Sequence, residues 1–340
     1  MTPDVVHISL PGDRPPWTST GLRVEAGDTV TLLGSGFIRW SEGRDVGAGS
    51  KFHLWGRVPG GEIFGCTQDT ATVTVDRTGE LELCVYKGVW ADRSGALATG
   101  DGPYRRNHGA LDVAVLRWPA GTDPVEGLER LDDPTLDQGL VDAERERLRH
   151  PITQPPGWTH LVDFGTTDIF RAAQVDARPA IEIVCADDAG IIQKPVSLAL
   201  DPTTTFEWRW RVDALPSTTA EDSTWTHDHL SVAVEFDSGR DLTWFWIAAL
   251  KPVEGTFDCP VRGWTHRETH MPVRSGVEGI GQFHRERRIV WEDHRRFMGE
   301  PPTAIVAVWL IAVSHFSRAT GRATFADLTL TTGDQVVHLL

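Results

Sequence analysis

Thr205–Asp213 reads TFEWRWRVD. Side chains of an extended strand alternate between two faces, so Phe206, Trp208, Trp210 and Val212 share one face. Glu207, Arg209, Arg211 and Asp213 share the other. Adjacent indoles backed by a row of charges predict a strand between a packed core and a polar, ligand-facing surface. The pattern returns at Thr243–Ala249, TWFWIAA. Outward from these two segments the chain reads as a Trp-rich β protein and, first of all, as a binding scaffold.

Composition agrees with that reading. The chain has 340 residues, too many for one compact sandwich and comfortable for two domains. It carries 14 Trp against 2 Tyr, with 33 Gly and 21 Pro. Gly and Pro in that quantity suit short strands joined by tight turns. A net charge of −15 argues against nucleic acid, whose phosphates need a basic surface. The clustered Arg285, Arg287, Arg288, Arg295 and Arg296 are interleaved with Glu286, Glu292 and Asp293, as on a salt-bridged face. Four scattered cysteines without CxxC spacing argue against a thiolate zinc site, and a Cys66–Cys84 disulfide stays open. The N-terminus shows no secretory signal, and no apolar run approaches the ~18 residues needed to span a bilayer. The expectation is a cytoplasmic protein that does not engage membranes.

The expected fold is all-β: two β-sandwich or jelly-roll domains joined by a linker with one helix. Short strands with turn signals fill residues 1–120. A long Gly- and Asp-rich loop separates Tyr86 from Leu111, a length that points to function. Residues 121–157 read as an acidic linker with an amphipathic helix over Thr135–Arg149, packing between the domains. From residue 158 to 340 the β rhythm returns as a second, Trp-rich sandwich, interrupted by a helix over Trp291–Met298. The apolar run Ala304–Val313 predicts a buried central strand.

Two resemblances follow from quoted text. VEAGDTVTLLGSGFIRW (24–40), WGRVPGGEIFGC (55–66), TGELELCVYKG (78–88) and RNHGALDVAVLRW (106–118) resemble the calcium-dependent galactose-binding bacterial lectins of the PA-IL-like family. That implies a jelly roll, with Trp40 at a family calcium and sugar tyrosine and Asn107 at one of its paired asparagines. Here, however, Lys87 stands where the family has a calcium-ligating aspartate, and His108 replaces the second asparagine. A cation opposes Ca²⁺, which wants hard, negative oxygen ligands. The fold is therefore expected to carry over without that site, unless Asp92, Asp101 and Asn107 rebuild one. FEWRWRVDALP (206–216), DHLSVAVEFDSG (228–239) and RRIVWEDHRRFMGEPPTAIVAVWLIAV (287–313) resemble the domain of unknown function numbered 3047. That implies a sandwich and no known activity.

Several constellations are candidates for chemistry. His227 and His229 flank Asp228, and an HxH pair puts two imidazoles on one strand face, as in some metal sites. Asp293 and His294 add acid and base partners, and His266, Glu268 and His270 lie nearby in sequence. Local hydrogen bonding explains the same histidines without a metal. Glu235 and Asp237 share a strand face and suit glycoside hydrolysis, or simple ion pairs to Arg209 and Arg211. Trp208, Trp210, Trp244 and Trp246 form either a core or a sugar-stacking surface. No GxSxG, GxGxxG or GxxxxGK[ST] motif is present. The expected partner is a carbohydrate or similar polyhydroxylated ligand. It is held by Trp40, Asp92, Asp101, Asn107 and His108 in the first domain and by the four tryptophans in the second. The alternative is an enzyme working on a glycoside or natural product with His227, Asp228, His229, Asp293 and His294. The cofactor stays open between calcium and a transition metal, the latter on His227 and His229.

Overall fold

The computed structural model describes residues 3–40, 46–218, 230–248, 255–259, 265–315, 317 and 319–340. The chain divides into two compact units. The first is Met1–Pro151 with Val162–Thr167, and the second is Ile152–Leu161 with Asp168–Leu340.

In the first unit a four-stranded antiparallel sheet runs Asp4–Pro11, Ala110–Trp118, Thr29–Gly36, Thr70–Thr74. A second runs Thr18–Val24, Gly79–Val85, Leu54–Arg57, Phe64–Gly65. Val30, Leu32, Val113 and Val115 of the first sheet bury against Leu22, Leu54, Leu81 and Leu83 of the second, which makes a sandwich. The alternate residues Leu33, Ala114, Leu116 and Trp118 point the other way and are covered by Leu128, Leu136 and Val141. Those three come from the segment expected to be a linker, which supplies helices Pro124–Glu129 and Gln138–Arg149. The helical segment is thus a third layer of this unit and not a spacer between domains. Gly127 is needed there, since a Cβ would stand 2.3 Å from the Trp118 ring.

The second unit pairs a larger set of sheets. The seven-stranded sheet runs Thr159–His160, Ala189–Ala199, Ala304–Val313, Leu230–Phe236, Asp241–Ile247, Glu268–Ser275, Phe257–Asp258. The other runs Phe170–Val175, Arg178–Ala186, Thr320–Thr332, Thr205–Ala214, His284–Ile289, with Gln335–His338 paired to Thr320–Thr332. Pairing is antiparallel except between Asp241–Ile247 and Glu268–Ser275. Ala304–Val313 is the buried central strand its apolar run predicts.

The tryptophans form the core between these sheets. Trp208, Trp210, Trp244 and Trp246 are each 0% exposed. Ring centroids lie 5.7 Å apart for Trp208–Trp244 and for Trp210–Trp246, and 5.8 Å apart for Phe206–Trp244. Edge and offset contacts at that spacing favour aromatic pairs beyond simple burial. The expected stacking surface is therefore core packing: none of the four offers a face to ligand. Three of their polar edges are used internally, Trp210 Nε1 donating to Glu286, Trp244 Nε1 to Asp293 and Trp246 Nε1 to the Gly276 carbonyl.

The charged face of Thr205–Ala214 is likewise saturated. Arg209 pairs with Asp176 and Asp327, Arg211 with Asp213, and Glu207 with Arg285 and Arg287. Arg209 and Arg211 do not reach Glu235, which belongs to the other sheet, or Asp237, which follows that strand. All four cysteines are buried free thiols, so the Cys66–Cys84 bridge is not formed.

Candidate functional site

The unexpected arrangement lies on the far face of the seven-stranded sheet. Leu230, Val232, Val234 and Phe236 go to the tryptophan core, as do Leu242, Trp244 and Trp246. Alternation sends Ser231, Ala233 and Glu235, and Asp241, Thr243 and Phe245, to the opposite face. Register then aligns them across strands. Glu235 is opposite Asp241, and Asp241 is opposite Glu268. One row further on, Trp309 is opposite Ala233, Ala233 opposite Thr243, and Thr243 opposite His270. Adjacent strands lie about 4.8 Å apart, so three carboxylates stand side by side behind a row holding a hydroxyl and an imidazole.

These groups are withdrawn from water: Asp241, Thr243, Ser231 and His270 are all 0% exposed, and Glu268 is 4% exposed. Thr243 Oγ1 donates to Asp241 Oδ1 at 3.0 Å. His270 stacks on Phe257 at 5.0 Å, and its Nε2 lies 3.9 Å from Glu268 Oε2. Arg267 donates to Glu235 Oε1 at 3.3 Å and lies over the Trp309 ring at 5.1 Å.

Of the catalytic residues expected from sequence, His227, Asp228 and His229 lie outside the described residues. Asp293 and His294 sit on the helix Val290–Met298, where both are structural. Asp293 accepts from Trp244 Nε1 at 3.1 Å and from Arg288 Nε at 2.7 Å and Nη2 at 2.5 Å. His294 packs edge-on against Phe236 at 4.9 Å. Burial, with the Arg240 charge adding to it, holds its imidazole below the ordinary value. Asp237 is spent on Thr303.

In the first unit the expected ligand residues each make local contacts. Asp92 closes its own turn, accepting from Ser94 N at 2.7 Å and Ser94 Oγ at 2.5 Å. Asp101 precedes the 3₁₀ helix Gly102–Arg106 without capping it, and stays exposed. Asn107 is buried, its Nδ2 donating to the Gly12 carbonyl at 3.0 Å. His108 pairs through its backbone with Arg39. Among the described residues no group of three or more His, Cys, Asp or Glu is gathered to hold a metal ion. The long loop is packed, Trp90 stacking on Tyr86 at 4.4 Å and on Trp17 at 5.7 Å.

Trp40 has company of another kind. Its Nε1 donates to His53 Nε2 at 2.9 Å, and His53 Nδ1 in turn bonds the Tyr86 carbonyl at 2.7 Å. The Lys87 Nζ lies 3.6 Å from the Trp40 ring centroid. Burial pulls the Lys87 ammonium down to about 7.

Sequence reasoning missed Asp241, Thr243 and Trp309 as members of a row, and named Glu268 and His270 only for their nearness in sequence to the HxH pair. Alternation within LSVAVEF and DLTWFWI marks which side chains leave the core face. Which of them meet depends on strand order and register, which those segments do not contain.

Residues 157–329 match the family described as "Protein of unknown function (DUF3047)". No curated protein matches the chain. Among solved structures, the chain is similar to the N-terminal domain of EclA, a PllA-like lectin, with 20% identity and a TM-score of 0.28. That match covers 33% of this chain and 95% of that one. It is also similar to the xyloglucanase domain of NopAA, a type three effector from Sinorhizobium fredii in complex with cellobiose, with 8% identity and a TM-score of 0.30. There the cover is 53% of this chain and 100% of the other.

Proposed function

The chain belongs to the DUF3047 family, proteins of unknown function, and from that premise we propose that its second unit binds a carbohydrate or similar polyhydroxylated ligand at the row Glu235, Asp241 and Glu268. The observation that carries this is the register: three carboxylates on three adjacent strands, two of them buried, with Thr243 and His270 in the next row. Carboxylates accept strongly from hydroxyl groups, and vicinal hydroxyls match closely spaced acceptors. Phe257 on the same face, paired with His270 and only part-buried, adds the apolar surface that a sugar ring needs.

Calorimetric titration with a panel of neutral mono- and oligosaccharides tests it. Asp241→Asn and Glu268→Gln are expected to weaken binding by about tenfold or more each, about 1.4 kcal/mol, in protein that still unfolds cooperatively. Binding that survives both changes at full strength would place the ligand elsewhere and end this reading.

A second reading rests on one contact, His270 Nε2 at 3.9 Å from Glu268 Oε2. A carboxylate beside an imidazole can exchange a proton, and a second carboxylate on the next strand supplies the partner that glycoside hydrolysis uses. Turnover of aryl glycosides, abolished by Glu268→Gln, is the outcome that favours it.

A further inference from the structure

We propose that Lys87 is an amine site for small aldehydes, its Nζ condensing with a free carbonyl group, such as the open chain of a reducing sugar, to give an imine held against the face of Trp40. This goes beyond the carboxylate row: it uses the other unit and a different chemistry.

The geometry is built from the backbone outward. Lys87 follows the strand Gly79–Val85, and its N–H donates to the Tyr104 hydroxyl at 3.2 Å, which anchors the side chain's root. Tyr104 is itself buried on the 3₁₀ helix Gly102–Arg106. The side chain then runs to the Trp40 ring, with Nζ 3.6 Å from its centroid. Trp40 cannot turn away freely, because its N–H is committed to His53. That bond uses the lone pair on His53 Nε2, so His53 is held as the Nδ1–H tautomer donating to the Tyr86 carbonyl. His53 is therefore neutral; the other titratable or charged groups on the elements that hold Lys87 are Lys51, Glu80, Glu82, Cys84, Tyr86, Tyr104, Arg105 and Arg106, and none of them is paired with its Nζ.

Among the described residues no carboxylate forms an ion pair with Nζ, and no acceptor hydrogen-bonds it. An ammonium in that setting has lost water and gained only the quadrupole of one indole. Burial accordingly lowers it to about 7, so about half is free amine at neutral pH. Desolvation of this kind is one of the ways a lysine becomes a nucleophile. The side chain is half-buried, not sealed, so a small carbonyl compound can reach it.

The step balances without a further reactant. The Nζ lone pair attacks the carbonyl carbon, the carbonyl oxygen takes up a proton, and the carbinolamine loses water to leave C=N. Once protonated, the iminium places its charge where the ammonium stood, over the indole face.

The chain holds four lysines, Lys51, Lys87, Lys194 and Lys251, so the site can be read by peptide mapping. The full-length protein is incubated at pH 7 with glyceraldehyde and cyanoborohydride, which reduces an imine to a stable secondary amine. Lys87 is expected to be modified at least about tenfold faster than any other lysine, with a rate that levels off above pH 7. The preference is expected to vanish in urea, where all four amines titrate alike, and to fall in Trp40→Leu. Labelling spread evenly over the four lysines, or selective labelling that persists in urea, would overturn the proposal.

Discussion

At the scale of single residues, Asp293 shows how a structural role can pass for a chemical one. In sequence it is an acid beside a histidine, in a stretch rich in arginine. In the fold both its oxygens are occupied, taking the indole N–H of core Trp244 and two N–H groups of Arg288. Removing it leaves a guanidinium and an indole with nothing to bond, and stranding a partly buried charge costs several kcal/mol. Asp293→Ala is expected to lower stability by about 3 kcal/mol, read as a shift in urea midpoint at unchanged slope. Asp293→Asn keeps an acceptor for Trp244 and is expected to lose less. Should the two variants unfold at the same urea concentration, the Trp244 contact contributes nothing. That Trp244 shares a face with Trp246 was legible from alternation in TWFWIAA; that this face is core was not. Nor was the need of the Trp244 N–H for Asp293, 49 residues away.

At the scale of elements, the helix Gln138–Arg149 repeats the lesson. Its amphipathic pattern and its Asp137 cap can be read locally, the Asp137 side chain accepting from Gly139 N and Leu140 N. Its docking surface cannot, because Leu33, Leu116 and Trp118 come from strands far away in sequence. Glu144 fixes the docked position. It is 0% exposed, accepts from Thr70 Oγ1 at 2.6 Å, and is gripped by Arg147 at 2.7 and 2.8 Å. Burial by itself would raise its pKa, but the Arg147 bonds and charge and the threonine hydroxyls outweigh it and leave the carboxyl below its ordinary value of 4.5. The unfolded chain therefore takes up this proton first as pH falls. The helix's contribution is whole above about pH 4.5 and is lost as pH drops through the folded value. Glu144→Gln is expected to cost about 2 kcal/mol at pH 7. Its difference from the parent protein should shrink steadily below pH 4.5 in urea titrations of Trp fluorescence. A gap that stayed constant down to pH 3 would mean that Glu144 carries no charge-assisted bond.

At the scale of the whole molecule, the chain does not change units once but three times. Pro155-Pro156-Gly157 is a turn signal, and a division at 157 follows naturally from sequence. Yet Ile152–Leu161 belongs with the second unit and Val162–Thr167 with the first. Long-range contacts decide this. Trp158 enters the tryptophan core and donates through Nε1 to the Leu339 carbonyl at 3.2 Å, while Gly165 comes close against the Trp55 ring. Gly165 adopts φ 69° there, and a Cβ would stand 3.2 Å from that ring, so the approach itself asks for glycine. A fragment cut at the apparent boundary thus loses part of its own unit. Residues 1–167 are expected to melt several degrees above residues 1–157, since the shorter piece uncovers the Trp55 ring. By the same argument residues 152–340 should be more stable than residues 168–340, which lack Trp158 and its tie to Leu339. Burying one large aromatic contributes about 2–3 kcal/mol, enough to separate each pair of melting curves. Coincident curves within both pairs would show that the crossing segments are passengers, and that the units close their cores without them.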